Sequence, residues 1–279
     1  MDISNGVFET IRNYIQKVSG ICLKEDKKYL IEQRVKPILK QYNIRDFAEL
    51  ARILTGIHSP QLKEDIILSI TTHETSFFRD FYPFEAFRLT ILPSVAKSIS
   101  QKSILKCRIW SAGASTGQEA YSIAMMINEF IQTKYNPGLM KEHFSITGTD
   151  ISTWALKKAL SAEYYDYEIA RGLSESRKKQ YFNQLDNNIW KLKDIIKNMV
   201  TFQRLNLIDP LSVLGSFHVI FCRNVLIYFD HYVKVHILEQ FYDMLSNDGF
   251  LLLGSMENTY NIFDRFRSIQ CGNSVIYTK

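Results

Sequence analysis

The sequence predicts an α/β protein: a mainly parallel sheet covered by helices, preceded by a small all-helical domain and interrupted by a small inserted subdomain. Three observations predict it. Through residues 1–80 apolar residues recur at helical spacing and no strand pattern appears. After Pro93, short apolar runs alternate with amphipathic helices, the grammar of βαβ units. Between about residues 162 and 203 that alternation stops, in a stretch rich in Tyr, Lys and Asn that is read as the insert. The expected domains are therefore 1–80 and 81–279, with the insert inside the second.

In the first domain, Val7, Phe8, Ile11, Ile15 and Val18 share one helical face, and Gly20 can close the turn. A second helix is expected over about Asp26 to Tyr42, with Leu30, Ile31, Val35 and Ile38 on one face and Pro37 kinking it or shortening its regular part. Two more amphipathic segments, Asp46 to Leu54 and Ser59 to Ile70, complete a small bundle. In the second domain, strands are expected at Ile104 to Trp110, Phe144 to Thr149, near Val200 to Gln203, at Phe217 to Cys222 and at Phe250 to Ser255. Helices are expected at Gln118 to Thr133, Ser152 to Ser161 and Tyr232 to Leu245. Arg267 to Gln270 and Ser274 to Thr278, flanking Cys271-Gly272-Asn273, read as a hairpin. A parallel sheet ended by an antiparallel hairpin is one expected shape for an S-adenosylmethionine-binding Rossmann-like domain.

Composition narrows the class. With 46% hydrophobic and 23% charged residues, the chain is an ordinary globular one, and its net charge of +5 is too modest to argue for nucleic acid. No apolar run is long enough to span a bilayer, and the N-terminus lacks a basic start followed by an apolar core, so a cytoplasmic protein without membrane insertion is expected. Cys22, Cys107, Cys222 and Cys271 form no CxxC pair, which favours reduced, buried thiols and no metal site.

Four segments carry chemistry. Trp110-Ser-Ala-Gly-Ala-Ser-Thr-Gly-Gln-Glu follows a strand and opens a helix; Gly113 and Gly117 let the backbone turn tightly against a ligand, and Glu119 sits just inside the helix. Asp150 ends the next strand, where an acid can accept two hydrogen bonds from a ribose diol or can cap the following helix. Its distance from Gly113 exceeds the roughly 20 residues of the dinucleotide fingerprint, because the helix and the Asn136-Pro137-Gly138 turn between them are long. Without a phosphate-binding lysine after the glycines, ATP or GTP is disfavoured. Phe221-Cys-Arg-Asn-Val-Leu-Ile-Tyr-Phe-Asp ends a strand in a polar pair and an aromatic; Arg223 reads as a crevice or surface ion-pair residue, and Tyr228 as a site or core aromatic. In Thr71-Thr-His-Glu-Thr-Ser-Phe-Phe-Arg-Asp, Phe77 and Phe78 read as core, and a half-buried Arg79 beside them needs a carboxylate partner.

Together these segments resemble the CheR-type chemotaxis receptor methyltransferases. THETSFFRD, WSAGASTGQEAYSIAM, TGTDIS, FQRLNL, FCRNVLIYFD and DGFLLLGSMEN stand in the family's order and spacing, over nearly the whole chain. The resemblance implies transfer of a methyl group from S-adenosylmethionine, leaving S-adenosylhomocysteine, to glutamate side chains in the cytoplasmic helical region of chemoreceptors. It implies that Thr75 and Arg79 reach the cofactor, with Arg79 also near the reacting centre. Glu119 matches a cofactor-contacting glutamate, Asp150 the ribose acid, Asn206 and Leu207 the pair on the adenine side, and Arg223 with Asn224 the pair after the later strand. Tyr228 matches an aromatic beside the transferred methyl. His73 stands where relatives often have asparagine, and imidazole can also hydrogen-bond. GSMEN departs from the commoner GHSEN, so no role passes from that histidine.

A glutamate carboxylate has a reference pKa of about 4.3 and is already ionised near neutrality, so methyl transfer to it needs positioning and no general base. On the second helix Lys36 and Lys40 project away from the apolar face with Arg34 at its edge, either a solvated face or, as the resemblance implies, a docking surface for acidic receptor helices. Between Lys24 and Arg45 seven basic residues stand against three acidic ones. Some relatives also tether themselves to a receptor's C-terminal pentapeptide through a glycine-bearing loop of the insert; residues 181–193 here contain no glycine. The rival readings are a methyltransferase of the same fold acting on nucleic acid or a small molecule, and a non-catalytic S-adenosylmethionine sensor. Interleaved arginines and aromatics would favour RNA and are absent, and loss of Arg79, Asp150 or Tyr228 would favour the sensor.

Overall fold

A computed structural model describes residues 3–56, 59–133 and 138–279. Asn136 and Pro137 of the expected turn lie outside the described residues. By its contacts the chain divides into two units, Met1–Thr72 with Tyr228–Lys234, and His73–Ile227 with Val235–Lys279. The segment 73–80, read above with the helical domain, thus groups with the sheet unit. The reason is packing: Phe77 is fully buried in the sheet unit's core, and the Phe78 N–H donates to Ser122 Oγ at 3.0 Å.

The first unit holds α1 (Asn5–Ser19), α2 (Lys28–Gln41), α3 (Phe47–Thr55) and α4 (Pro60–Ile70). Each start has a physical cause where a side chain caps it. Ser4, Asp46 and Ser59 accept the free N–H groups of Val7, Glu49 and Leu62 at 3.5, 2.8 and 3.1 Å, contacts worth about 1 kcal/mol each when well formed. Gly20, at φ 76°, closes α1 with its N–H on the Gln16 carbonyl. Phe8, Ile11 and Ile15 of α1 bury against Ile31, Val35, Leu50 and Ile66, and burying such side chains contributes about 1.5–3 kcal/mol each. Pro37 does not shorten α2, which continues to Gln41. Both Pro37 and Gln33 are exposed, so the carbonyl that loses its intrahelical donor faces water. The side chain of Tyr228 packs on this unit's core.

The second unit begins with α5 (Tyr82–Ala86) and α6 (Leu92–Ser100), then builds the sheet. Its elements are β1 (Cys107–Ala112), α7 (Gln118–Ile131), β2 (Phe144–Asp150), α8 (Thr153–Ser161), β3 (Glu163–Tyr165), α9 (Asp166–Ala170), α10 (Glu175–Tyr181), β4 (Phe182–Asp186), β5 (Ile189–Leu192), α11 (Asp194–Lys197), β6 (Val200–Arg204), β7 (Phe217–Cys222), α12 (His231–Met244), β8 (Leu245–Leu253), β9 (Arg267–Cys271) and β10 (Ser274–Thr278). The strand order is β6-β2-β1-β7-β8-β10-β9, parallel up to β8, with β10 antiparallel to both β8 and β9. Cys271 pairs with Ser274, which leaves a two-residue turn at Gly272-Asn273.

α7 is buried from Gln118 to Asn128, as a helix must be when the chain covers it on all sides. On the sheet, Trp110 stacks on Phe217 at 5.4 Å and meets Phe241 of α12 edge-on at 5.2 Å. The insert forms its own antiparallel sheet, β3-β5-β4, while β6 belongs to the main sheet. It is not independent of the core. Tyr164, Tyr181, Phe182 and Leu192 are buried with Phe77 and α7, and Tyr164 Oη donates to the Thr116 carbonyl at 2.8 Å. Cys107 and Cys222 are buried free thiols, but Cys22, in the connection after α1, and Cys271, at the end of β9, are only half-buried. Among the described residues no helix is long and apolar enough to cross a membrane.

Candidate cofactor crevice

Side chains leaving the carboxyl ends of parallel strands face the ligand crevice of such sheets. Three strand ends meet there. After β1 the backbone turns through Gly113 (φ 75°), Ser115 (φ 50°) and Gly117 (φ 96°), and the N–H groups of Gly113 and Ala114 both donate to the Thr149 carbonyl, at 2.9 and 2.8 Å. This ties the glycine turn to the end of β2. A Cβ at Gly113 would lie 2.5 Å from Val225 Cγ2, so only glycine fits against the loop after β7.

Asp150 closes β2. Its Oδ2 accepts from the Ser115 N–H and its Oδ1 from the Ser152 N–H, both at 2.8 Å. The cap of α8 is Ser152, whose Oγ accepts from the Ala155 N–H at 3.0 Å, so Asp150 is not the helix cap. Each carboxylate oxygen keeps further acceptor capacity, the requirement for a ribose diol. Burial pushes the Asp150 carboxyl above the usual range, partly countered by the N–H groups of Ser152 and Ser115 and by His73. The His73 carbonyl accepts from Ser115 Oγ at 3.2 Å, and its ring lies 5.3 Å from that of Trp154. The Leu205 N–H donates to the Asp150 carbonyl at 3.0 Å, which brings half-buried Asn206 and buried Leu207 to the same strand end.

Beneath the glycine turn lies a buried ion pair. Glu119 Oε1 accepts from Ser111 Oγ at 2.7 Å and its Oε2 from Arg223 Nη1 at 3.0 Å. Arg223 Nη2 donates to the Arg79 carbonyl at 2.6 Å and to Asp80 Oδ2 at 3.1 Å. Burial raises the Glu119 carboxyl, and the charge of Arg223 opposes that rise. Arg223 Nε is buried with no hydrogen-bond partner. A donor in that state has a desolvation cost that an acceptor on a bound ligand can relieve, so the crevice fits a cofactor carrying acceptor groups.

Arg79 itself is half-buried; its Nη1 donates to the Glu74 carbonyl at 2.9 Å, and, after the larger effect of Arg171, its charge helps hold the Glu74 carboxyl below the usual range. Thr75 is half-buried in the same segment. That segment is strained: Phe78, Asp80 and Phe81 all have positive φ, at 49°, 63° and 27°. Asn224 also takes a left-handed conformation, φ 58°. In the helical unit, Lys36 and Lys40 are exposed on α2, whereas Arg34 donates to the Ile70 carbonyl at 3.1 Å and to Thr72 Oγ1 at 3.4 Å, closing the end of α4. Sequence reading missed Ser111, Ser115, Asp80, Trp154 and Glu257. Only Glu257 left a signal, as an acid three residues after Gly254, the glycine that follows β8.

Comparison with known proteins decides the family. The all-alpha domain of CheR methyltransferases matches residues 7–71, and the CheR methyltransferase SAM binding domain matches residues 73–275. The chain belongs to the CheR methyltransferase family. It is 38% identical to chemotaxis protein methyltransferase 1 of Pseudomonas aeruginosa over 99% of each chain. It is 36% identical to chemotaxis protein methyltransferase Cher2 of Pseudomonas putida, again over 99% of each, and 32% identical to the chemotaxis protein methyltransferase of Escherichia coli over 95% of this chain and 88% of that one. This CheR methyltransferase is an S-adenosylmethionine-dependent enzyme of chemotaxis.

Proposed function

We propose that the enzyme esterifies glutamate side chains in the cytoplasmic helical region of methyl-accepting chemotaxis receptors. The observation that carries the cofactor half is Asp150, fixed by two backbone N–H groups beside the glycine turn, and the buried, unpartnered Nε of Arg223 supports it. The bound cofactor supplies an electrophilic methyl group on a sulfonium sulfur. Asp150 accepts the ribose hydroxyls, His73 and Thr75 line the same end, and Asn206 and Leu207 flank the adenine. Glu119 and Arg223 act as a unit, the carboxylate holding the guanidinium so that its free Nε meets an acceptor, with Asn224 beside it.

Arg79 holds the acceptor carboxylate or the cofactor's own, through its planar fork. Tyr228, set beside the methyl by the family resemblance, lends an aromatic face to the sulfonium. The glutamate arrives ionised, so these residues orient the reacting atoms and remove no proton. Receptor docking falls to exposed Lys36 and Lys40 with Arg34 at the edge of their face, where it also holds the Ile70 carbonyl. The reading is tested by methyl transfer from tritiated cofactor to receptor cytoplasmic fragments. Base-labile label on glutamate is the expected result, and label that resists base would place the methyl on another atom.

A further inference from the structure

Glu257 lies in the exposed stretch after β8, next to a methionine that is 83% exposed, yet its carboxylate turns inward. Its partners are four backbone N–H groups. Oε2 accepts from Asn224 at 2.7 Å and Gly254 at 2.8 Å, and Oε1 from Val225 at 2.9 Å and Ile227 at 3.3 Å. One anion thus joins the end of β8 to the loop after β7. Gly254 makes this possible: a Cβ there would lie 2.6 Å from Glu257 Oε2 and 2.8 Å from the Asn224 nitrogen.

We propose that Glu257 is a positioning residue of the cofactor crevice. It acts through two neighbours. By fixing the N–H groups of Asn224 and Val225 it stabilises the left-handed turn at Asn224, a conformation that a non-glycine residue adopts only when its surroundings enforce it. It also fixes Val225, the side chain against which the Gly113 turn is fitted. The loop that presents Arg223 and Asn224 and the turn that faces the cofactor are therefore set by a residue outside both. Only a carboxylate offers two acceptor oxygens to four donors; a glutamine at the same place would turn its NH2 group against two of them.

The inference rests on the reading that this crevice binds S-adenosylmethionine. Its test uses the full chain and the variants Glu257→Ala, Glu257→Gln and Gly254→Ala. Binding of S-adenosylhomocysteine is measured by calorimetry well below each variant's unfolding midpoint, and methyl transfer is measured at saturating cofactor. Affinity should fall by about tenfold or more in Glu257→Ala and by less in Glu257→Gln, with kcat reduced and KM for the receptor fragment unchanged. Gly254→Ala should behave like Glu257→Gln. If Glu257→Ala does not fold, the other two variants decide. Variants that melt earlier but bind and turn over like wild type would overturn the proposal and leave the cofactor reading intact. A wild-type chain that fails to bind S-adenosylhomocysteine would overturn both.

Discussion

Arg223 Nη1 and Glu119 Oε2, 104 residues apart in sequence, meet at 3.0 Å with only 1% of the arginine side chain exposed. A pair this deep is costly to break from one side. Arg223→Met should destabilise the protein by about 3–5 kcal/mol, because it strands a buried carboxylate. Adding Glu119→Gln should recover part of that loss. Urea unfolding of the two single variants and the double variant measures the coupling, and simple additivity would mean the pair does not act as one.

Asp150 should control cofactor affinity and its pH dependence. Asp150→Ala removes charge-assisted hydrogen bonds worth about 1.5–3 kcal/mol each while the fold is kept. Ribose hydroxyls donate to the ionised form, so in the wild type affinity for S-adenosylhomocysteine should weaken as pH falls through the carboxyl's raised pKa, above the ordinary 3.8. In the ligand-free protein the sign reverses. The folded state there binds the proton more tightly than the unfolded state, so this group's contribution to stability is fully present below 3.8 and is lost as pH rises through the raised value. Calorimetric titrations across this range check the first, and melting curves the second. Undiminished binding in Asp150→Ala would end the assignment.

Arg79→Lys loses the planar fork, and Tyr228→Phe keeps the ring but loses the hydroxyl. Both should lower kcat at saturating cofactor, beyond any change in cofactor affinity. Wild-type turnover in both would move the reacting centre elsewhere.

Lys36→Glu with Lys40→Glu reverses two exposed charges on α2 and should reduce receptor methylation while cofactor binding stays unchanged. Methylation by the wild type should also weaken as salt rises. Salt-independent rates would exclude docking by these lysines.

The connection between β4 and β5 is confined to Asn187 and Asn188, with a bulge between Gln184 and Asp186. No open glycine turn is available for a peptide strand to enter, so a free receptor C-terminal pentapeptide should bind weakly or not at all. Tight calorimetric binding to residues 162–203 would contradict this.

Local pattern and chemistry were legible in the sequence. Apolar periodicity placed α1, α3, α4 and α7, and the glycine turn and Asp150 pointed to the ends of β1 and β2. Those features depend on neighbours a few residues away, which sequence displays directly. Pro37 leaves α2 unshortened, since whether a proline ends a helix depends on whether the carbonyl it orphans faces water or the core. Arg34 stood in the sequence at the edge of the lysine face, and only the fold shows that its guanidinium also reaches the Ile70 carbonyl at the end of α4. Arg79 read as a residue in need of a carboxylate and has the charge of Glu74 nearby, while Arg223 is the arginine that takes Asp80 and Glu119 in hydrogen bonds. Which acid meets which arginine, and the turning of Glu257 onto four N–H groups, are decided by strand order, because β1, β7 and β8 are neighbours in the sheet although far apart in the chain. Sequence set the residue types and the local turns; tertiary structure chose the partners, because a buried charge is stable only where long-range packing brings an opposite charge or a hydrogen-bond donor to it.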